Sequence, residues 1–207
     1  MKVLLINGSP RPDQCTFTAL SEVAKALREE GAETEIYQIG TAPVAGCIDC
    51  GTCAKTGKCV FSDGVNDIAA RLKEFDGIVV GAPVYYAGPC GQICCFLDRL
   101  FSSTSSAAWE GKVGAAIVSC RRGGASASFD RLNKYFTISN MPVVSSQYWN
   151  QVHGSSAEEV LRDEEGLQTM RTLGKNMACL IRQIQAGRAA GVNTPVREKR
   201  KRTDFIR

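Results

Sequence analysis

KVLLINGSPRPDQCTFTAL, residues 2–20, opens as a short β-favouring apolar run, breaks at Gly8, and resumes with a helical apolar period. The reading is a strand over 2–7 followed by a helix over about 16–30 that ends before Gly31. The alternation continues outward from there. TEIYQI at 34–39 reads as a second strand, a cysteine-rich loop follows, and a helix is expected near 65–75. GIVVGA at 77–82 reads as a strand buried on both faces, with a helix after Gly91. KVGAAIVS at 112–119, a helix near 126–138, PVVSS at 142–146 and a helical stretch over about 157–186 complete the pattern. Five strands alternating with helices predict an α/β three-layer sandwich, a parallel sheet with helices on both faces, because each parallel connection needs a right-handed crossover. The expected strand order is 2-1-3-4-5, which places a ligand beyond the carboxyl ends of the strands, where the loops at 8–16 and 82–90 should meet.

With 207 residues, 44% of them apolar, the chain suits one core, expected over 1–186. GRAAGVNTP marks the passage into a basic tail, 187–207, of which residues 194–207 by themselves account for the formal charge of +4 and read as a solvated end. The remaining body is neutral by count, so no nucleic-acid surface is indicated. No apolar run approaches the ~18 residues of a membrane span, and no leader pattern follows Met1. A cytoplasmic protein is expected, with its ten cysteines as reduced thiols or metal ligands.

NGSPRPDQCTFT, residues 7–18, stands between the first strand and first helix. Gly8 permits a tight turn, Ser9, Thr16 and Thr18 offer hydroxyls, Arg11 offers a charge, and the helix start at Cys15, Thr16 and Phe17 points backbone N–H groups at the same place. This suits a monophosphate. Both the dinucleotide fingerprint and the nucleoside-triphosphate loop are missing. The alternative is that Ser9 and Thr16 only cap a turn and a helix.

Cys47, Cys50, Cys53 and Cys59 form C-x2-C-x2-C-x5-C, a spacing that can close around one iron–sulfur cube or one zinc; reduced loop thiols are the alternative. Cys90, Cys94, Cys95, Cys120 and Cys179 lack a shared ligand spacing and read as small buried residues.

Gly8-Ser9-Pro10-Arg11, Thr16 and Leu20 resemble the opening motif of the NAD(P)H-dependent FMN reductase family of flavodoxin-like proteins, with Cys15 where that family commonly has Asn. GAPVYYAGPCGQICCFLDR at 81–99 resembles its second loop, and SCRRGGAS at 119–126 its third. The resemblance covers roughly residues 1–185. It implies a flavodoxin-like fold and an FMN held by the first loop. Pro83, Val84, Tyr85 and Tyr86 would then frame the isoalloxazine, and Ala87 and Gly88 would let backbone approach its N5 edge. Cys120, Arg121, Arg122 and Gly123 would lie beside the ring, where an arginine supports the pyrimidine side or attracts a nicotinamide nucleotide. Asp98 and Arg99 look structural, as does His153, the only histidine, in a segment resembling one branch of the family. The cysteine run resembles that of iron–sulfur flavoproteins, relatives that carry a [4Fe–4S] cluster beside FMN. The family further implies NAD(P)H as electron donor, a second acceptor, and a homodimer or homotetramer. A non-catalytic flavin-binding protein is the reading of another class.

Overall fold

The computed structural model describes residues 1–192 together with Pro195, Glu198, Lys201 and Thr203; the rest of the basic tail lies outside the described residues. The elements are β1 (Lys2–Asn7), α1 (Cys15–Glu29), β2 (Glu33–Gln38), α2 (Thr52–Thr56), α3 (Gly64–Arg71), β3 (Gly77–Tyr85), β4 (Gly88–Pro89) and α4 (Gly91–Ser103). They continue with β5 (Val113–Cys120), α5 (Ala125–Ile138), β6 (Gln151–His153), α6 (Ala157–Val160) and α7 (Glu164–Ala189).

Four parallel pairings build the sheet in the order β2-β1-β3-β5-β6, while β4 folds back antiparallel on the end of β3 as a two-residue hairpin arm. Apart from this small addition the order is the expected one. Successive side chains of a strand point to opposite faces, and both faces here are buried. Leu4, Ile6, Ile78, Val80, Ala116 and Val118 pack under α3, α4 and α5. Val3, Leu5, Val79, Ala115 and Ile117 pack under α1 and α7. Double burial explains why these strands read as unbroken apolar runs rather than alternating ones.

The fifth strand differs from expectation. Residues 142–144 touch β5 only at its start, where the Gly114 N–H donates to Pro142 O at 2.9 Å and the Val144 N–H donates to Gly114 O at 2.8 Å. The chain then leaves the sheet and regular pairing resumes at Gln151–His153 against Val118–Cys120. Asn150 makes the excursion possible. Buried, it donates through Nδ2 to Ala116 O at 3.0 Å and accepts the Ser146 hydroxyl at 2.6 Å, while its carbonyl takes the Val118 N–H at 3.0 Å. At the other end, α7 runs through Ala189, past the position where the tail was expected to begin, and the chain turns at Gly191 with φ of 84°.

Candidate active site at the carboxyl edge of the sheet

The chain goes from β1 outward to β2, then returns to β3 on the other side, so the crevice between the ends of β1 and β3 is the switch point. The loops from the two strands meet there. The Gly8 N–H donates to Gly81 O at 2.8 Å, and a Cβ on Gly8 would lie 2.7 Å from Ile93 Cβ and 2.9 Å from Gly81 O. Only glycine allows so close an approach.

Side chains fix the course of the first loop. Asn7 Oδ1 accepts the Ser9 N–H at 3.1 Å, Ser9 Oγ accepts the Arg11 N–H at 3.1 Å, and Gln38 Nε2 donates to Ser9 O at 2.6 Å. The Ser9 hydroxyl therefore does stabilise the turn. Thr16 does not cap the helix: its hydroxyl lies 2.7 Å from that of Ser119, both buried. Gln14, at the N-cap of α1, is extended and makes no side-chain cap. The positive end of α1 is thus left to meet an anion at the cleft wall.

A cleft of about 200 Å³ opens beside this helix end. Ser9, Arg11, Cys15 and Thr16 of the first loop line it, facing Pro83, Val84 and Tyr85 of the second and Ser119, Cys120 and Arg121 of the third. Phe17, Thr18, Tyr86, Ala87, Gly88, Arg122 and Gly123 stand outside this lining. Thr18 turns its hydroxyl back to Gln14 O at 3.3 Å, and Arg122 and Gly123 are exposed beyond the rim. Tyr86 and Ala87 form the tip of the β3–β4 hairpin, with φ of 50° and 59°. Two successive left-handed residues give the turn that joins twisted strands tightly, and here they are not glycines. Tyr86 is thereby held fully in solvent. The third loop abuts this hairpin: Gly124, with φ of +88°, has room for no Cβ, which would fall 2.6 Å from Ala87 Cα.

The thiols at the cleft are held neutral. Burial pushes the Cys15 thiol up, and its Sγ points at Gly154 O at 3.5 Å. Burial likewise raises Cys120, whose sulfur is 3.4 Å from His153 Nδ1. His153 is anchored through its backbone N–H to Asp163 Oδ2 at 2.7 Å. Cys90 lies under the first loop and donates to Gly8 O at 3.0 Å. The expectation of uniform burial fails for Cys179, which is exposed on α7, and for Cys94 and Cys95, which are half-buried.

Ser119, Gln14 and Gly154 of the lining, and Asn7 and Gln38 behind it, escaped the sequence reading. The available signal was position, since Asn7, Gln38 and Ser119 all sit at or next to a strand's carboxyl end.

The cysteine loop leaves the same sheet edge after β2. Cys47 and Cys50 are exposed, Cys53 and Cys59 half-buried. Cys50 Sγ is 3.3 Å from the Thr52 hydroxyl, which lowers the thiol's pKa. Cys53 Sγ lies 3.6 Å from Ser102 O, and Cys59 Sγ accepts the Arg99 Nε–H at 3.2 Å. Four sulfurs are the donor chemistry of an iron–sulfur cluster. Their positions are not gathered: among the described residues no group of three or more His, Cys, Asp or Glu side chains converges as a metal site.

The family model for NADPH-dependent FMN reductase matches residues 1–155. The chain belongs to this family. It is accordingly an oxidoreductase, and FMN is the family's cofactor. An iron–sulfur flavoprotein of Methanocaldococcus jannaschii is 34% identical over 192 residues, which cover 89% of this chain and 100% of the relative. Another, of Methanosarcina thermophila, is 30% identical over 192 residues, covering 91% and 99%. Among solved structures, RosB with a bound 8-demethyl-8-formylriboflavin-5'-phosphate superposes with a TM-score of 0.70 at 16% identity, over 100% of this chain and 94% of RosB. A WrbA-like flavodoxin from Agrobacterium tumefaciens gives 0.62 at 21% identity, over 88% and 98%. These two likenesses concern the fold, which is flavodoxin-like. No helix among the described residues is long and apolar enough to cross a membrane.

Proposed function

We propose that the carboxyl-edge cleft holds FMN and that the chain is an iron–sulfur flavoprotein, moving electrons between a donor and an acceptor through the flavin and a cluster on the Cys47–Cys59 loop. The observation that carries the flavin half is the uncapped N-terminus of α1 opening into a cleft walled by all three loops. In this reading the α1 N–H groups and Arg11 take the phosphate. Pro83, Val84 and Tyr85, together with Ser119, Cys120 and Arg121, would hold the ring. Bound FMN supplies the hydride and electron chemistry; the protein supplies binding, orientation and electrostatics. The neutral thiols of Cys15 and Cys120 add no negative charge beside the phosphate or the ring.

The cluster half is supported by the all-sulfur donor set and by relatives named iron–sulfur flavoproteins along nearly their whole length. Cys47, Cys50, Cys53 and Cys59 would hold a [4Fe–4S] cluster, which when bound supplies one-electron transfer. Because the four sulfurs are dispersed in the protein as described, the loop has to close around the cluster. Anaerobic purification followed by iron, acid-labile sulfide and flavin determination tests both halves. Near four iron and four sulfide per chain beside a flavin band supports the reading; flavin alone returns the chain to a plain FMN reductase.

The family description favours a second reading, in which NAD(P)H reduces the flavin directly. Arg11 and Arg121, exposed in the cleft lining, with Arg122 exposed beyond the rim, offer the cations a nucleotide's phosphates need. Anaerobic mixing decides: bleaching of the flavin band by NADPH or NADH at a catalytic rate supports direct hydride transfer, and no bleaching leaves a protein electron donor. A homodimer or homotetramer, with a neighbouring subunit completing the flavin pocket, belongs to the same proposal. The exposed Tyr85, Tyr86, Tyr148 and Trp149 are apolar area for such an interface. A monomeric mass in light scattering of the FMN-loaded protein removes it.

A further inference from the structure

Arg99 of α4 is 1% exposed, the one charged side chain sealed beneath the cysteine loop. All of its guanidinium N–H groups have partners. Nη1 donates to Asp63 Oδ2 at 2.6 Å and Ala45 O at 3.4 Å; Nη2 donates to Asp63 Oδ1 at 2.8 Å and Phe61 O at 3.4 Å. The plane lies over the Phe61 ring, 4.8 Å from its centroid. With the fork occupied by Asp63, the remaining Nε–H has one orientation, and it is given to Cys59 Sγ at 3.2 Å. The Cys59 backbone is pinned as well: Asn66 Oδ1 accepts its N–H at 2.9 Å and Asn66 Nδ2 donates to its carbonyl at 3.0 Å. Cys47 and Cys50, by contrast, are exposed. One cysteine of the motif is therefore fixed in backbone and sulfur, while others ride an open loop.

We propose that Arg99 is a positioning residue of the cysteine loop: it holds the Cys59 sulfur as the preset corner onto which Cys47, Cys50 and Cys53 close, and its charge makes the bound cluster easier to reduce. The inference rests on the cluster reading of the previous subsection. An N–H bond to a ligand sulfur and a nearby positive charge both favour the reduced, more negative cluster. Asp63 offsets part of that charge, so the two residues act on the potential with opposite signs.

The experiment is an EPR-monitored redox titration, with iron and sulfide content, of anaerobically purified wild type, R99Q, R99K and D63N. R99Q is expected to hold less iron per chain, and its remaining cluster to show an oxidised-to-reduced ratio at fixed potential raised roughly ten-fold, about 59 mV for a one-electron couple. R99K, which keeps the charge but loses the fork, shifts in the same direction by less. D63N, whose amide can still cap α3 and accept from Arg99, shifts the opposite way. It also keeps the test decisive should R99Q not fold. Midpoints of the folded variants equal to wild type, or R99Q and D63N moving in the same direction, overturn the proposal. A wild type without iron and sulfide overturns the cluster reading itself, before any variant is considered.

Discussion

Gly8 shows how much of the site is decided at one atom. Its missing Cβ lets the first loop reach Gly81 and pass over Ile93, and that approach sets the path of Ser9 and the α1 entrance. Gly8→Ala should cost about 1–3 kcal/mol through forced displacement and weaken FMN by roughly ten-fold or more. Fluorescence titration of apoprotein with FMN measures this; an unchanged Kd would show that the loop does not carry the phosphate. The residue scale is also where the sequence was least sufficient. Gly8, Ser9 and Thr16 could be picked out from type and spacing, yet Thr16 serves as a partner of Ser119, far away in the chain. A hydroxyl's role depends on which donor or acceptor comes within reach, and only folding brings residues so far apart together. Arg99 is the same case: an arginine behind an aspartate looks structural, and nothing local connects it with Cys59.

At the scale of elements, the broken edge strand depends on Asn150. Replacing it by Ala leaves Ala116 O without its side-chain donor and takes one acceptor from the Ser146 hydroxyl, which keeps Tyr148 O at 2.7 Å. Asn150→Ala should cost about 1–3 kcal/mol by urea denaturation, since buried groups lose their partners; a loss near zero would mean the excursion is held by something else. The opposite edge is held by charge. Arg71 grips Glu35 with two bonds, at 2.8 and 2.6 Å, joining α3 to β2, and Lys2 reaches the same carboxylate. These bonds, Arg71 first, hold Glu35 below its ordinary value of 4.5. A carboxylate lowered by folding contributes its stability above that ordinary value and loses it as pH falls through the lowered one. The stability gap between wild type and Glu35→Gln should therefore be largest near neutral pH and shrink on acidification to about pH 3. Urea midpoints across that range check the sign; a gap that widens in acid contradicts it. The strands inside the sheet were legible in advance because burial on both faces leaves an unbroken apolar run. PVVSS was misplaced because a short β-favouring run carries no sign of whether its neighbour will continue pairing.

On the scale of the whole molecule, the carboxyl-edge cleft proposed to hold FMN is built from the core and the cysteine loop is not. The cleft joins the ends of β1, β3 and β5, so ligand bound there stabilises the fold by mass action. FMN at about a hundred times its Kd should add ~2.7 kcal/mol, a rise in Tm of roughly 5–10 °C for a chain of this size. Thermal scans with and without FMN read this directly; no shift with bound flavin would mean the site is coupled to the unfolded chain as well. Cys47, Cys50, Cys53 and Cys59 belong to neither buried core cluster. Stripping iron with a chelator should accordingly leave the far-UV circular dichroism and the FMN-induced rise in Tm unchanged. Loss of helical signal on chelation would make the loop a structural metal site instead.

The sequence by itself determined the periodic features: the first four strands of the parallel sheet, the main helices that alternate with them, the sheet order, and that three loops and four cysteines emerge at one edge. Those follow from local pattern and from the handedness of parallel crossovers, neither of which needs a distant contact. Only the tertiary structure decided what each side chain meets there: the uncapped end of α1, the Thr16–Ser119 pair, the left-handed Tyr86 tip and the split last strand. It also singled out Cys59 as the anchored cysteine, because burial of Arg99 and the closure of its hydrogen bonds depend on α4 packing against a loop distant in the chain.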